Sequence, residues 1–435
     1  MALGGAQLAA FGIGSVAAGL FSAVPGVLLL FYMTEVKAVP ATLAGITVFL
    51  PKLWDVVTDP LIGRWSDSAG RLGFMLMGSI MLPCAFAVMF SATATETVAV
   101  FVWILVSYLL ATTAYTFFSI PYVALPGELG RNGRERRQLV SARSIGVLLG
   151  VLLGAGAAPI AVNVFGSDAA AYMRVGFLSA GLCLVTMLIT CASVWTLKKR
   201  KQPTRGSPTA LHEQTGRRSG SGSTALALCP LFCTQSLALV GLAICMAGLP
   251  YGVTRIGLGE DASGLALLCA LLTAMLSVPL WVRYAGKRGE VGVMRLALLL
   301  LASSVILGSL SIGRQSFGLS VPAVIVLGAA IGGLQFGPVA YLARWTASHA
   351  GASGQAGRAA GWLIAAEKTG QAFGPLVVAL ALAGTKLSKE SVIGEGLAGG
   401  MTPFLFSLTL AVLACCGLAA WLILRLQQFA PLETR

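Results

Sequence analysis

The sequence predicts an all-α membrane protein in which twelve transmembrane helices form two similar halves of six. Of its 435 residues, 57% are hydrophobic and only 11% are charged, whereas soluble proteins have a charged fraction of about 25%. The apolar runs are close to 20 residues or longer, which is enough for a helix to cross a hydrocarbon core about 30 Å thick. One long polar interruption, 198–224, separates the first six runs from the last six.

The predicted spans define the domain organisation. They are 8–33, 43–64, 72–92, 98–126, 138–164, 172–197, 226–250, 262–283, 292–312, 320–344, 357–384 and 401–426. We expect an N-terminal half at 1–197, a basic flexible cytoplasmic linker at 198–225, rich in Gly, Ser, Pro and Arg, and a C-terminal half at 226–435. Two similar halves are the organisation used by transporters that rock around a central site.

The net charge of +14 is explained by membrane topology. If both termini are cytoplasmic, most arginines and lysines outside the spans lie on the cytoplasmic side, including those of the linker. The cations on the opposite side are Lys37, Arg174, Arg255, Arg314, Lys386 and Lys389. This asymmetry follows the positive-inside rule. We therefore expect a multi-pass protein of the bacterial inner (plasma) membrane with cytoplasmic termini, surrounded by lipid and without a nucleic-acid partner.

Two carboxylates lie inside the second predicted span. Asp55 and Asp59 are four residues apart and so share one helix face. An ionisable group at membrane depth costs roughly 2.5 kcal/mol or more, which makes it by default a candidate for ion or substrate passage. Thr58 adds a hydroxyl oxygen beside Asp59, and Lys52 lies one turn before Asp55. The alternative is that the acids pair with Lys52 or Arg143 and hold helices together.

The connection between the second and third spans has the pattern Gly-x-x-x-Asp-x-x-Gly-Arg. Its members are Gly63, Asp67, Gly70 and Arg71. Asp67 can cap a helix N-terminus or pair with a basic neighbour. We therefore expect these residues to form a conformational latch between helices. The pattern resembles the loop signature of the major facilitator superfamily.

Polar side chains recur in the fourth, fifth and eleventh spans. Tyr115, Thr116 and Ser119 share one face of the fourth span, ahead of the sequence Ile-Pro-Tyr-Val-Ala-Leu at 120–125. Arg143 lies past the basic cluster 131–137, on a helix that enters the bilayer, where an unpaired guanidinium is costly. A partner or ligand for this side chain is implied. Lys368 follows Glu367 in the eleventh span.

These separated motifs agree in order and spacing with one family. Lys-Leu-Trp-Asp-Val-Val-Thr-Asp-Pro-Leu-Ile-Gly at 52–63, Ser-Ile-Pro-Tyr-Val-Ala-Leu at 119–125 and Arg-Glu-Arg-Arg-Gln-Leu at 134–139, followed by Arg143, resemble the glycoside-pentoside-hexuronide:cation symporters, the melibiose permease-like members of the major facilitator superfamily. The resemblance covers much of the N-terminal half. It implies the major facilitator fold.

The resemblance also implies roles for individual residues. The cation-binding set is Asp55, Thr58, Asp59, Tyr115 and Thr116, with Asp55 and Asp59 as direct metal ligands if the coupling ion is Na⁺. The substrate-binding positions are Ser119, Arg143, Lys368 and Gly19. This chain departs from the sugar-transporting members at Gly19 and Ser119, where those members carry acids, and at Val123, where they carry tryptophan. A clamp for sugar hydroxyl groups is therefore incomplete here.

The function that we expect is cation-coupled secondary active transport of a sugar, a glycoside or uronide, or another small organic solute, by alternating access of a functional monomer. The coupling ion is Na⁺ or H⁺, and no cofactor is implied. One alternative is a carrier of a lysophospholipid-like lipid or an organic anion. Another, from a different class, is a membrane sensor without transport activity. No nucleophile–base pair, metal-ligand set or phosphate loop favours an enzyme, and the nine cysteines lie in or beside apolar runs, as packing residues do.

Overall fold

The computed structural model describes residues 3–94, 96–201, 223–255, 261–314, 316–349, 352–384 and 398–429. Within these ranges the chain is helical and contains no β-strand. Most of the predicted linker, from 202 to 222, lies outside the described residues. The α-helices are α1 Gly5–Gly12, α2 Gly14–Val24, α3 Ala41–Ala69, α4 Arg71–Met89, α5 Thr97–Leu129, α6 Gly133–Leu152, α7 Ala158–Val164, α8 Ala169–Lys201, α9 Ser223–Arg255, α10 Asp261–Gly313, α11 Phe317–Ser348, α12 Ala356–Gly384 and α13 Ala398–Phe429.

The helices follow the predicted spans closely. Among the described residues, ten helices are long and apolar enough to cross a membrane. One of the ten, Ala262–Gly313, contains both the eighth and the ninth predicted span, and its backbone leaves the helical conformation at Gly289, where φ is 73°. The eleventh predicted span corresponds to α12, which is not among the ten.

Proline and glycine interrupt the first and fifth spans. The first span consists of α1 and α2 and continues as a π-helical turn, Pro25–Leu29, because Pro25 has no N–H to donate to the preceding turn. The fifth span likewise changes from α6 into the π-helical turn Leu153–Ala157 before α7. In contrast, α5 continues through Pro121 and Pro126 to Leu129.

Glycines bring α1 and α2 close to α6. A Cβ atom at Gly19 would overlap the carbonyl oxygen of Val147, and one at Gly150 would overlap that of Val16. A Cβ atom at Gly12 would lie 2.5 Å from the carbonyl oxygen of Ala142. Small residues of this kind allow helix backbones to approach each other within a membrane.

The described chain divides into two compact units. Unit 1 comprises residues 1–224 and 339–365, and unit 2 comprises residues 225–338 and 366–435. The segment 339–365, which lies in the predicted C-terminal half, therefore clusters with the N-terminal helices. In unit 1, buried aromatic side chains form much of the core, including Phe86 of α4, Phe90 directly after α4, and Phe118 and Tyr122 of α5.

Candidate functional site

The two acids of α3 are buried. Asp59 is fully buried and Asp55 is 5% exposed, whereas Val57, on the opposite face of the helix, is 68% exposed. The helix therefore turns an apolar face outward and its carboxylates inward. This arrangement follows from the i, i+4 spacing of the two aspartates within an otherwise apolar helix.

A hydroxyl group from α5 meets the carboxylate of Asp59. Thr116 Oγ1 lies 2.8 Å from Asp59 Oδ1 and 3.0 Å from the carbonyl oxygen of Thr112. Because a hydroxyl group has a single proton, Thr116 can donate fully to only one of these acceptors at a time. When it donates to Thr112, the lone pairs of its oxygen are available beside Asp59.

Thr58 provides a second hydroxyl oxygen in the same region. Its Oγ1 donates to the carbonyl oxygen of Trp54 at 3.1 Å, so its proton is directed along its own helix. Thr58 is 8% exposed. Carboxylate and hydroxyl oxygens are the ligand types that hard cations such as Na⁺ accept, so this part of unit 1 has suitable chemistry for such an ion.

Tyr115 lies at the junction of α5 with α2. Its ring centroid is 5.2 Å from that of Phe21. The backbone of α12 also reaches the acid region, because a Cβ atom at Gly361 would lie 2.5 Å from the carbonyl oxygen of Asp59. Helices α3, α5 and α12 therefore meet around Asp59, with α2 packed against α5.

Arg143 is buried beside an aromatic ring. It is 7% exposed, and its guanidinium carbon lies 6.0 Å from the ring centroid of Tyr122. Its Nε has no hydrogen-bond partner in the part of the chain that the structure describes.

Tyr122 connects α5 to the first span through hydrogen bonds. Its hydroxyl oxygen lies 3.0 Å from Ser15 Oγ, and the hydroxyl group donates to the carbonyl oxygen of Phe11. Its ring also contacts the rings of Phe11 and Phe118. Tyr122 belongs to the motif at 119–125, but nothing in its spacing along the sequence connects it with Arg143.

Ser119 and Gly19 have different surroundings. Ser119 is 2% exposed, and its Oγ has no hydrogen-bond partner among the described residues. The same is true of the Oγ of Ser144, which follows Arg143 in the chain. Both hydroxyl groups are therefore available to a ligand, although the sequence predicted only Ser119 as a substrate-binding position. Gly19 contacts the backbone of α6 so closely that no side chain fits there.

Lys368 belongs to unit 2, where its neighbour Glu367 has a polar partner. Gln235 Nε2 donates to Glu367 Oε1 at 3.1 Å and lies 3.4 Å from the carbonyl oxygen of Leu334. Gln235 is 1% exposed. Gln235 was not among the predicted site residues, although an amide side chain within the apolar run of α9 is itself a sequence signal.

The latch residues converge on the start of α12. Asp67 accepts hydrogen bonds from the backbone N–H groups of Gly357, at 2.8 Å, and Arg358, at 3.0 Å. Arg71 Nη2 lies 2.7 Å from Asp67 Oδ1 and 2.8 Å from Glu128 Oε1. A carboxylate that accepts N–H groups at a helix N-terminus is also favoured by the helix dipole.

The glycines of the latch have two separate uses. Gly70 has φ 93°, a conformation that favours glycine, and forms the turn between α3 and α4. A Cβ atom at Gly63 would overlap the carbonyl oxygen of Gly357, so the missing side chain allows α3 to touch α12. The contact between α3 and α12 therefore involves Gly63, Asp67 and Arg71. Gly70 instead forms the turn that follows α3.

No group of three or more His, Cys, Asp or Glu side chains suited to a metal ion occurs among the described residues. The acid region of α3 therefore consists of two carboxylates supplemented by hydroxyl oxygens. All nine cysteines are free thiols.

The sequence is similar to several transport proteins. A family model described as MFS/sugar transport protein matches residues 10–428. The putative glycoside/cation symporter YagG of Escherichia coli (strain K12) is 30% identical over 199 residues, which are 44% of this chain and 42% of the relative. The uncharacterized symporter YjmB of Bacillus subtilis (strain 168) is 28% identical over 145 residues, which are 32% of each chain.

A third relative is the sodium-dependent lysophosphatidylcholine symporter 1 of Xenopus tropicalis. It is 25% identical over 150 residues, which are 33% of this chain and 29% of the relative. The matched regions thus span less than half of the length of each of these three relatives.

Two solved structures share the fold. The proton:xylose symporter XylE has a TM-score of 0.66 at 14% identity, with 98% of this chain and 94% of that chain covered. The human organic anion transporter MFSD10 has a TM-score of 0.66 at 19% identity, with 95% and 97% covered. At these identities the likeness concerns the fold alone.

Proposed function

The chain belongs to the MFS/sugar transport protein family, and we propose that it is a cation-coupled symporter whose ion site includes Asp55 and Asp59. Family membership confirms the resemblance to symporters of the major facilitator superfamily and the predicted twelve-helix fold. It also confirms a transporter rather than an enzyme. The coupling ion, the substrate and the residues that bind them belong to the proposal.

The observation that carries the proposal is the fully buried carboxylate of Asp59 with the hydroxyl group of Thr116 at 2.8 Å. A charged group deep in a membrane bundle is costly. Its retention is most simply explained by a bound cation that compensates the charge during transport. Thr58, Asp55 and Tyr115 complete the proposed cation-binding set, and Asp55 and Asp59 are the direct ligands if the ion is Na⁺.

The substrate side of the proposal rests on Arg143. A guanidinium that is 7% exposed, lies over Tyr122 and forms no ion pair among the described residues supports a substrate with an anionic or strongly electronegative group. Ser119 and Ser144 add hydroxyl groups without hydrogen-bond partners in the described part of the chain. Lys368 is a further proposed substrate contact, whereas Gly19 supplies no binding group, because it packs directly against the backbone of α6.

Coupling between cation and substrate then arises because both change the net charge of the same group of side chains, which includes Asp59 and Arg143. A cation at Asp59 adds one positive charge and favours an anionic substrate group near Arg143. By linkage, the substrate must raise the affinity for the cation by the same factor. We propose that the contact between α3 and α12 at Gly63, Asp67, Gly70 and Arg71 forms and breaks during alternating access, as in other transporters built from two repeats.

Uptake into proteoliposomes tests this proposal. A panel of sugars, glycosides, uronides and organic anions is supplied while sodium and proton gradients are imposed separately. We expect a gradient of one cation to drive accumulation, and we expect Asp59→Asn and Asp55→Asn to abolish accumulation without unfolding the protein. Asp168→Asn is the matched control, because Asp168 is an exposed helix cap that asparagine can replace.

Unchanged uphill uptake by either α3 variant would contradict the ion site. Absence of accumulation for every solute and both gradients would favour a membrane sensor over a transporter.

The same panel, extended to lysophosphatidylcholine, tests the second candidate function. That candidate, a carrier of a lysophospholipid-like or other organic anion, is favoured by the buried Arg143, whose Nε has no hydrogen-bond partner among the described residues, and by the lysophosphatidylcholine symporter among the relatives.

Location and assembly complete the proposal. We propose that the protein lies in a bacterial inner membrane with both termini cytoplasmic and functions as a monomer. The positive-inside distribution of arginine and lysine supports the orientation. The proposed partners are one small-molecule substrate, one monovalent cation and the lipid bilayer.

A further inference from the structure

Unit 2 contains a partly open cavity of about 530 Å³. Protein interiors are close-packed, and voids much larger than a water molecule are few, so a cavity of this size calls for an occupant. The volume lies within the range of about 300–1,000 Å³ that is typical of small-molecule sites. All of its lining residues belong to unit 2, whereas Asp59 and Arg143 belong to unit 1.

The cavity lies near one end of the helices of unit 2. It is lined by the end of α9, the beginning and the end of α10, the beginning of α11 and the first half of α13. Because successive membrane helices alternate in direction, these segments lie toward the same face of the membrane. In the proposed orientation this is the face opposite the termini, so the cavity lies at the depth of the outer leaflet.

The walls favour hydrocarbon over a polar ligand. None of the lining residues is charged, and most are aliphatic. The lining hydroxyl groups already have partners: Ser309 Oγ lies 2.6 Å from Thr409 Oγ1, and Ser311 donates to the carbonyl oxygen of Ser316 at 2.8 Å. Ser304 and Thr273 donate to carbonyl groups of their own helix. A polar ligand would find few free hydrogen-bonding groups, whereas an apolar chain needs none.

The rim of the cavity is itself apolar and exposed. Leu265 on α10 is 60% exposed, and Val321 and Ile325 on α11 are 46% and 48% exposed. In a membrane-spanning unit, large apolar side chains at this depth are solvated by lipid tails. A lipid acyl chain that is already in contact with these residues can enter the cavity without crossing a polar surface.

We propose that this cavity of unit 2 holds an acyl chain of a bilayer phospholipid, bound through its hydrocarbon and not through its headgroup. The site is independent of the proposed symport, because it uses neither the acids of α3 nor Arg143. The bound chain fills space among four helices of unit 2 and replaces the packing contacts that the protein does not make by itself.

Gly308 and Gly417 provide a matched pair of variants. Gly308 lines the cavity, and a Cβ atom there would meet no atom within 4 Å. Gly417 also has open space beside it and belongs to α13, but it does not line the cavity. Gly308→Phe fills the cavity, and Gly417→Phe adds the same group elsewhere in unit 2. Gly308→Leu is a smaller filling variant if phenylalanine prevents folding.

The experiment uses the full chain in vesicles of phosphatidylethanolamine and phosphatidylglycerol that contain phosphatidylcholine with a photoreactive group in one acyl chain. Labelled peptides are identified by mass spectrometry. We expect label in 244–253 and 304–312, a several-fold loss of this label in Gly308→Phe or Gly308→Leu, and no loss in Gly417→Phe. In the wild type, excess unlabelled phosphatidylcholine should displace the label, and glycerophosphocholine should not.

Three results would overturn the proposal. One is label in these segments that persists at the wild-type level in the filling variants, and another is displacement by glycerophosphocholine. The third is label that appears only when a cation gradient drives uptake, since this would identify a transported amphiphile rather than a resident lipid.

Discussion

At the scale of single residues, burial of charge is the feature that sequence could reveal. Asp55 and Asp59 lie in an otherwise apolar helix, so the sequence shows both the free-energy cost of burying them in a membrane and the helix face that they share. The hydrogen bond from Thr116 to Asp59 joins residues 57 positions apart. The family resemblance assigned Thr116 to the cation set, but only the packing of α5 against α3 brings the two side chains together.

The hydroxyl group of Thr116 provides a residue-scale prediction. When Thr116 donates to the carbonyl oxygen of Thr112, its oxygen can coordinate a cation beside Asp59, and valine removes this oxygen. A loss of about 1.4 kcal/mol in cation binding corresponds to a tenfold change in the equilibrium constant. If Na⁺ is the coupling ion, Thr116→Val should therefore raise the half-saturating sodium concentration for uptake by about tenfold or more. The initial rate of uptake is measured against sodium concentration in proteoliposomes.

Thr112→Val is the control for Thr116→Val. Thr112 is also buried on α5, one turn away, but its hydroxyl group donates only to the carbonyl oxygen of Leu109. This variant should leave the sodium dependence unchanged. Equal sodium curves for the wild type and Thr116→Val would remove Thr116 from the cation site.

The surroundings of Arg143 were less predictable than those of Asp59. The sequence indicated that a guanidinium entering the bilayer needs a partner, and acids were the obvious choice. The structure instead gives Arg143 the face of Tyr122, which is anchored to the first span by Ser15 and Phe11. An aromatic side chain in an apolar run gives no sequence signal for such a role, because most such rings simply pack in the core.

At the scale of helices, the contact between α3 and α12 depends on missing side chains. Asp67 caps the start of α12, while Gly63 and Gly357 allow the two backbones to approach. The sequence pattern indicated a turn at Gly70 and an acid able to cap a helix. It could not indicate which helix is capped, because the capped N–H groups are about 290 residues away from Asp67.

The close approach of α3 and α12 leads to a prediction for Gly357→Ala. The added Cβ atom would lie 2.6 Å from the carbonyl oxygen of Gly63 and 2.7 Å from Asp67 Oδ1. Overpacking of this kind costs about 1–3 kcal/mol. If the contact must form in each transport cycle, the initial rate of uptake should fall several-fold at unchanged expression.

Gly354→Ala serves as the control for Gly357→Ala. A Cβ atom at Gly354 meets no atom within 4 Å, so this variant should transport at the wild-type rate. Wild-type uptake by Gly357→Ala would show that the contact is not required for the transport cycle. Loss of uptake in both variants would attribute the effect to the helix start rather than to the contact.

At the scale of the whole molecule, the positive-inside distribution and the alternation of helices support the proposed topology. The described helices reproduce the predicted spans, and a turn at Gly289 separates the two limbs of α10. The compact units do not follow the chain in sequence, because 339–365 clusters with the N-terminal helices. One boundary between the units, at 224/225, falls at the end of the polar interruption, whereas the grouping of 339–365 with unit 1 is a result of packing.

Reporter fusions test this topology. A fluorescent protein fused after residue 132, between α5 and α6, should be bright because this connection is cytoplasmic in the proposed orientation. Alkaline phosphatase fused after residue 166, between α7 and α8, should be active because that connection lies on the opposite side. Exchanging the two reporters is the control and should silence both. The reverse pattern would invert the proposed orientation.

The sequence by itself determined the membrane class, the approximate spans, the α3 acids and the family, because hydrophobicity, charge cost and motif spacing are local properties of the chain. Tertiary structure alone decided the partners of these residues. It placed Thr116 on Asp59, Tyr122 under Arg143, Gln235 on Glu367 and Asp67 on α12. Such contacts join residues far apart in sequence, and their geometry depends on how closely glycine-lined helices pack, which no local pattern specifies.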